Sequence, residues 1–274
     1  MAITASQVNE LRKKTGAGMM DCKKALVEAD GDMEAAIDIL RKKGQKVAAK
    51  RGDNEAKEGV IFAQAEGATG YILQLNCETD FVAKNEDFRN FVQSILDVAV
   101  NNGLTSVEEL KAAKYDDKLS VEEKITEQVG VIGEKLDLSN FAKVDADLVV
   151  AYNHPGNQLA TLVALNKASE AAEDAGKQVA MQVAAMNPLA LDKDGIDQET
   201  INREIEVGKD LAIQEGKPAE MAEKIAQGRL QKFFKENTLL SQPFVRDNKL
   251  SVEQFLKGVE SGLTVTGFKR FSLS

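Results

Sequence analysis

The feature that most constrains the fold of this chain is a β-hairpin pattern that occurs twice. Residues 59–76 contain two β-rich runs around a glycine turn, and residues 147–166 contain two more around the turn His154-Pro-Gly156. The first hairpin ends in Leu75-Asn76 and the second in Leu165-Asn166. The pattern therefore predicts an internal repeat.

The spacing after each hairpin supports this repeat. Phe91 lies sixteen residues after Leu75, Met181 lies sixteen residues after Leu165, and each stands where a helix core is predicted to begin. Two ββα-type subdomains paired about a pseudo-two-fold axis would explain the match. Coincidence between two ordinary hairpins is the alternative.

The first fifty residues predict a small module of three short helices. Thr4 and Gln7 have the spacing of a capping box at the start of the first helix, and Gly16 ends it. Two further helices are predicted over residues 20–29 and 33–44. Helices this short bury little surface, so a few contacts would hold the module together.

Residues 45–58 are polar and lack a sustained apolar face, which predicts a linker after the module. Helical patterns over 197–215 and 218–236, joined by the turn Gly216-Lys-Pro218, predict an antiparallel coiled-coil hairpin that projects from the body. The fold class is α+β, and the predicted division is a three-helix module at 1–50, a linker at 51–58, core subdomains at 59–140 and 141–274, and the helical insertion at 197–240.

Other elements are predicted from local signals. A helix is expected over residues 87–101, and the segments 242–245 and 263–273 have an extended pattern. Two further helices should open at capping boxes formed by Ser106 with Glu109 and by Ser120 with Glu123.

Composition narrows the class of protein. The net charge of −9 argues against nucleic acid as the main partner, because phosphate binding needs clustered Lys and Arg. Residues 1–51 hold eleven Lys or Arg against seven Asp or Glu, which is either a partner-facing patch or a solvated surface. Apolar runs are too short to span a bilayer and no signal region follows Met1, so we expect a cytoplasmic protein without a membrane partner.

Residues able to carry chemistry are few. Cys22 and Cys77 cannot form a disulfide framework or a CxxC pair, and we expect both to be small buried residues in a reducing compartment. The single histidine, His154, has no nucleophile signature beside it, and the sequence lacks a phosphate loop and a zinc-ligand set. We therefore expect no enzyme activity, no cofactor and no metal, and a function in binding another protein.

One segment, residues 76–85, joins the first hairpin to the helix that follows. Thr79 and Asp80 favour a turn or a helix cap, yet the apolar Phe81 and Val82 follow at once. Phe81 either packs the start of the helix against the core or stands exposed as an anchor for a partner's pocket.

Four stretches of this sequence together resemble the bacterial elongation factor Ts family. The resemblance extends from about residue 3 to residue 271, with the parts in the same order. The stretches are LRKKTGAGMMDCKKAL at 11–26, CETDFVA at 77–83 (with a small variation at Glu78), SQPFV at 241–245 and TVTGF at 264–268.

This resemblance implies an exchange factor that binds elongation factor Tu in its GDP-bound and nucleotide-free forms. It implies a ubiquitin-associated-like N-terminal module, a core of two related halves and a protruding coiled coil. GDP release would follow from disturbance of the partner's magnesium and phosphate site, after which GTP rebinds. The residues that the resemblance assigns to the interface are the magnesium-dislocating loop Thr79, Asp80, Phe81 and Val82, the N-terminal positions Arg12, Met19, Met20 and Lys23, and His154 and Val245, which would face the partner's third domain.

The chain also departs from parts of the family. Arg246 stands where one branch has methionine, and the sequence ends at Ser274 where some relatives continue into an extra helix that contacts the partner. Whether the complexes pair into dimers of heterodimers is left open. The rival interpretation is an adaptor whose N-terminal module binds a peptide or a ubiquitin-like surface, which leaves the repeat, Phe81 and the helical hairpin unexplained.

Overall fold

The structure, a computed structural model, describes residues 3–273. Helices and sheets are mixed, as the predicted α+β class requires. The helices are α1 (Ala5–Thr15), α2 (Met19–Glu28), α3 (Met33–Arg51), α4 (Asp80–Lys84), α5 (Glu86–Asn102), α6 (Val107–Ala112), α7 (Val121–Ile132), α8 (Glu170–Met186), α9 (Gln198–Gln214), α10 (Ala219–Asn237) and α11 (Val252–Val259), with a 3-10 turn at Lys193–Gly195. The strands are β1 (Glu58–Glu66), β2 (Thr69–Cys77), β3 (Asp137–Asp145), β4 (Leu148–Asn153), β5 (Leu159–Leu165), β6 (Pro243–Phe244), β7 (Asp247–Ser251) and β8 (Val265–Ser272).

The N-terminal helices form where local signals predict them. Thr4 and Gln7 make the predicted capping box at α1, which ends at Gly16 in the left-handed conformation. The three helices share a small core in which Leu11, Leu26 and Ala36 are fully buried. The expectation that Cys22 is a small buried residue is also met, because it lies in this core.

The third helix is longer than its sequence pattern predicts. We placed its end near Gly44, which is wrong, because α3 continues to Arg51. Its second half packs on α7 through glycine: Gly44 is buried, and a Cβ placed on it would lie 3.2 Å from the carbonyl oxygen of Thr126. A helix that packs closely through glycine needs no long apolar stripe. The polar sequence after Gly44 therefore gave no signal that α3 continues. The domain boundaries at residues 50 and 58 stay a prediction.

Both predicted hairpins are present, and each belongs to an antiparallel three-stranded sheet. The strand orders are β1-β2-β3 in the first half and β4-β5-β8 in the second. The pairing of the middle strand with the third strand shifts register at Leu75 in one sheet and at Leu165 in the other. The two leucines of the sequence repeat therefore occupy corresponding positions in two sheets of the same arrangement.

The helices that follow the two hairpins do not correspond as the spacing suggested. Phe91 is buried in the first core, whereas Met181 is only partly buried and lies outside the second core, so the equivalence of these two residues is wrong. Helix α5 begins eleven residues after Leu75, but α8 begins five residues after Leu165. Counted from these two leucines, the first half thus has six additional residues before the helix, and Phe81 lies in this longer segment.

The predicted helical hairpin is formed by α9 and α10. The two helices approach closely at Gly208, where an added Cβ would lie 3.1 Å from the α carbon of Ala226. Ser120 and Glu123 form the predicted capping box of α7. At α6 Ser106 is the cap, but the Glu109 carboxylate accepts hydrogen bonds from Thr105 instead of completing the box.

Candidate partner-binding surfaces

The segment between β2 and α5 presents Phe81 to solvent. Phe81 is 83% exposed, although its neighbours in sequence, Asp80 and Val82, are half-buried. Adjacent residues of a helix point about 100° apart, so α4 can direct Val82 and Ala83 to the first core while Phe81 faces outward. Of the two alternatives for Phe81, packing against the core is excluded, because the side chain is exposed. Val82 is the residue that packs.

Asp80 stands beside Phe81 with its charge partly neutralised. The Lys84 ammonium donates a hydrogen bond of 2.6 Å to the Asp80 carboxylate, one helical turn away. That bond lowers the pKa of Asp80 and raises the pKa of Lys84, so both groups are ionised at neutral pH. The exposed end of α4 therefore carries an aromatic ring next to an ion pair.

Glu78, just before this turn, ties the end of α3 to the first half. Its carboxylate accepts two hydrogen bonds of 2.9 Å from the Arg51 guanidinium and one of 3.1 Å from the Asn54 amide. It also accepts a hydrogen bond of 2.6 Å from the backbone N–H of Lys135. The Lys135 hydrogen bond, followed by the Arg51 hydrogen bond, lowers the pKa of Glu78. The sequence did not predict this role for Glu78, which was identified only as a small variation in the stretch at 77–83.

A second surface lies on the other half of the body. His154 and Val245, which are far apart in sequence, line one depression of about 450 Å³ together with Tyr152, Leu159, Met181, Ala184, Ala185 and Arg246; we call it the His154 depression. The Tyr152 hydroxyl lies 2.9 Å from Nδ1 of His154. Val245 is 50% exposed, and its backbone N–H donates to the buried Gln182 side chain at 2.8 Å. Sequence reasoning missed Gln182, which no local pattern distinguishes.

A third surface lies on the N-terminal module. Met19 and Met20 open α2 with 54% and 63% of their side chains exposed. Arg12 on α1 and Lys23 on α2 are exposed as well. Gly18, the N-cap of α2, makes no side-chain cap, and the two methionines are the first two residues of the helix.

Reactive groups are scarce in the part of the chain that the structure describes. Within residues 3–273, no group of three or more His, Cys, Asp and Glu side chains could hold a metal ion. Burial, and then the nearby charge of Glu134, raises the pKa of the Cys77 thiol to about 12, so this thiol is protonated at neutral pH. No helix in the same residues is both long and apolar enough to span a membrane.

The described residues thus form a three-helix module, a body with two three-stranded sheets of the same strand arrangement, and a helical hairpin. The model of the family described as Elongation factor TS matches residues 78–274. The chain is 54% identical to Elongation factor Ts of Christiangramia forsetii over 273 residues, which cover 99% of this chain and 98% of the relative. It is 52% identical to Elongation factor Ts of Amoebophilus asiaticus (98% and 98% covered) and 46% identical to that of Porphyromonas gingivalis (100% and 99% covered).

The chain belongs to the elongation factor Ts family. Membership implies a nucleotide exchange factor for elongation factor Tu in protein biosynthesis. The resemblance of the four sequence stretches is thereby confirmed, and it covers nearly the whole chain.

Proposed function

We propose that this protein binds elongation factor Tu·GDP and promotes GDP release by inserting the segment Thr79–Val82 beside the magnesium and phosphate site of the partner. The observation that carries this proposal is the exposure of Phe81, at 83%, on a helical turn whose neighbours are anchored in the first core. An aromatic ring held outward on a fixed support is the form of an anchor residue at a protein interface.

Exchange of this kind requires differential binding and no covalent chemistry. GDP is held by a phosphate cradle and a bridging magnesium ion, and the factor must bind the nucleotide-free or distorted partner better than the GDP-bound partner. Coupling is reciprocal, so a factor that weakens GDP binding a thousandfold is itself bound a thousandfold less tightly by the GDP form. Such coupling corresponds to about 4 kcal/mol.

Phe81 can supply much of that difference. A single hot-spot residue contributes about 2–4 kcal/mol when it is fully desolvated in a partner pocket. Asp80 has a smaller part in this proposal: its carboxylate holds the turn through Lys84 or disturbs polar groups near the partner's magnesium. Contacts that exist only in the distorted partner state are the ones that accelerate release.

The remaining surfaces would supply affinity that is independent of nucleotide. We assign Arg12, Met19, Met20 and Lys23 of the N-terminal module to one contact and the His154 depression to another. With these two contacts, the partner would be held at several places while the turn is inserted. After release of GDP, GTP binds and displaces the factor by the same reciprocal coupling.

The direct test is stopped-flow release of fluorescent GDP from purified elongation factor Tu. We expect the protein to accelerate release in a concentration-dependent manner that saturates, and we expect the isolated protein to bind neither GDP nor GTP. An adaptor would leave the release rate unchanged at every concentration. Unaltered GDP release with saturating protein would contradict the proposed function.

A further inference from the structure

The Glu134 carboxylate, just before β3, accepts three hydrogen bonds from the two residues that precede Asp80. Its Oε2 atom accepts the backbone N–H of Glu78 at 3.1 Å and that of Thr79 at 3.0 Å. Its Oε1 atom accepts the Thr79 hydroxyl at 2.7 Å. Both oxygens are therefore engaged by the start of the turn that carries Phe81.

These hydrogen bonds fix the residue that begins α4. Thr79 is the N-cap of this helix, and its hydroxyl also accepts the Val82 N–H at 3.5 Å, a long bond. A helix of five residues does not hold its own conformation in water, because nucleation is costly and few bonds repay it. The direction of Phe81 thus depends on how Thr79 is held from outside the helix.

The second half of the body contains the same bond in a different setting. Ser169, the N-cap of α8, donates its hydroxyl to Glu260 at 2.6 Å, and Glu260 lies just before β8 as Glu134 lies before β3. Ser169 opens a helix of 17 residues that continues directly, without the six additional residues of the first half. The carboxylate-to-cap bond belongs to both halves, but only in the first does it support an exposed aromatic ring.

We propose that Glu134 is a positioning residue for nucleotide exchange: it holds Thr79, and through Thr79 it fixes the direction in which Phe81 points into the partner. This inference rests on the proposed function, since it concerns the same segment. Rigid presentation lowers the cost of ordering a loop on binding, so loss of the bond should lower exchange while the body stays folded.

The test measures GDP release from elongation factor Tu with full-length variants. Glu134→Ala should lower the maximal release rate about five- to tenfold, because the turn no longer holds Phe81 in the inserting direction. Glu134→Gln should recover most of the rate, since its amide oxygen still accepts the two backbone N–H groups and its amide can donate to the Thr79 hydroxyl. Glu260→Ala, which removes the corresponding bond of the second half, is the matched control and should release GDP at the wild-type rate.

The double variant Glu134→Ala/Phe81→Ala separates positioning from a general loss of structure. If Glu134 acts through Phe81, this variant should release GDP within about twofold of Phe81→Ala alone, because the two changes share one pathway. If the two losses instead multiply, Glu134 acts elsewhere and the inference is overturned. Wild-type release by a folded Glu134→Ala sample would overturn it as well.

Failure of the inference and failure of the proposed function give different results. If the wild-type protein does not accelerate release, the proposed function is wrong. If the wild-type protein accelerates release and Glu134→Ala does so equally well, the function stands and the positioning role of Glu134 is wrong. Melting is recorded on each sample. Should Glu134→Ala not fold, Thr79→Val removes the hydroxyl from the other side of the bond, with the same expected direction, and Thr79→Val/Phe81→Ala is then the double variant.

Discussion

The α carbon of Gly44 in α3 lies so near Gly130 in α7 that a Cβ on Gly130 would be 2.4 Å away from it. Real side chains do not approach a backbone this closely, so the two helices are in backbone contact at this point. The contact attaches the end of the N-terminal helices to the first half, and Val47 and Ala48 continue it into the first core.

Gly130→Ala should therefore destabilise the protein. The added methyl group forces α3 away from α7, and overpacking of this kind costs about 1–3 kcal/mol. Gly228→Ala is the matched control, because Gly228 also lies within a helix but has no neighbour within 4 Å of an added Cβ. That substitution should stabilise the protein by about 0.5–1 kcal/mol. Urea unfolding of the two variants measures both changes, and equal stability would contradict the backbone contact.

This contact also shows what sequence reasoning could not provide. The hairpins β1-β2 and β4-β5, the capping boxes at Thr4 and Ser120 and the helical hairpin follow from local patterns and were predicted. Packing through Gly44 leaves no apolar stripe, so the end of α3 was placed too early. Strand β3 was missed because it has few buried side chains, chiefly Leu138 and Phe141, and a register shift that breaks their alternation.

At the candidate site, the sequence led to the Phe81 segment but not to its support. Thr79 was predictable as a cap, since a short polar side chain stands before an apolar pair. Glu134 contacts that segment, and Glu78 within it binds Arg51, through tertiary contacts that no sequence spacing reveals. Helix α11 had a signal that was overlooked, because Ser251 and Gln254 have capping-box spacing and do form the box. The equal spacing of Phe91 and Met181 led to a wrong equivalence, because α5 begins six residues later after Leu75 than α8 does after Leu165.

Glu78 should make stability depend on pH in the acidic range. Its pKa is lower in the folded protein than the ordinary value of 4.5, so it stabilises the fold above that value and loses this effect as the pH falls through the folded pKa. At pH 7, Glu78→Gln should lower the melting temperature, by about 2–4 °C for each kcal/mol of unfolding free energy that is lost. At low pH, below the folded pKa of Glu78, the difference from wild type should nearly vanish.

Glu66→Gln, at the exposed end of β1, is the control for the pH experiment and should melt like wild type at both pH values. Scanning calorimetry in matched buffers gives the comparison. If the Glu78→Gln difference persisted unchanged at low pH, ionisation of Glu78 would not be what ties Arg51 to this segment.

The N-terminal surface can be tested without removing the module. Deleting residues 1–50 would also strip most of α3 from α7, so single substitutions are cleaner. We expect Met20→Ala and Lys23→Glu each to weaken binding of nucleotide-free elongation factor Tu by about fivefold or more, which corresponds to about 1 kcal/mol. Because both side chains are exposed, the melting temperature should not change.

Titration calorimetry with elongation factor Tu measures these affinities. Leu189→Ala serves as the control, since Leu189 is also apolar and 57% exposed but belongs to none of the three surfaces. Affinities of Met20→Ala and Lys23→Glu equal to that of Leu189→Ala would remove the module from the interface.

Phe81→Ala is the substitution on which the account most depends. Because Phe81 is exposed, the change should barely alter melting, whereas Phe88→Ala on the neighbouring helix, where the ring is buried, should cost about 3–5 kcal/mol of stability. Truncation of Phe81 removes contacts made only in the distorted partner, so GDP release should fall at least about tenfold.

The decisive measurement is GDP release from elongation factor Tu, recorded by stopped flow on the same Phe81→Ala sample whose melting temperature has been determined. We predict a wild-type melting temperature together with a maximal release rate at most about one tenth that of wild type. A normal release rate per folded molecule, with or without a fall in melting temperature, would contradict the claim that Phe81 is inserted into the partner.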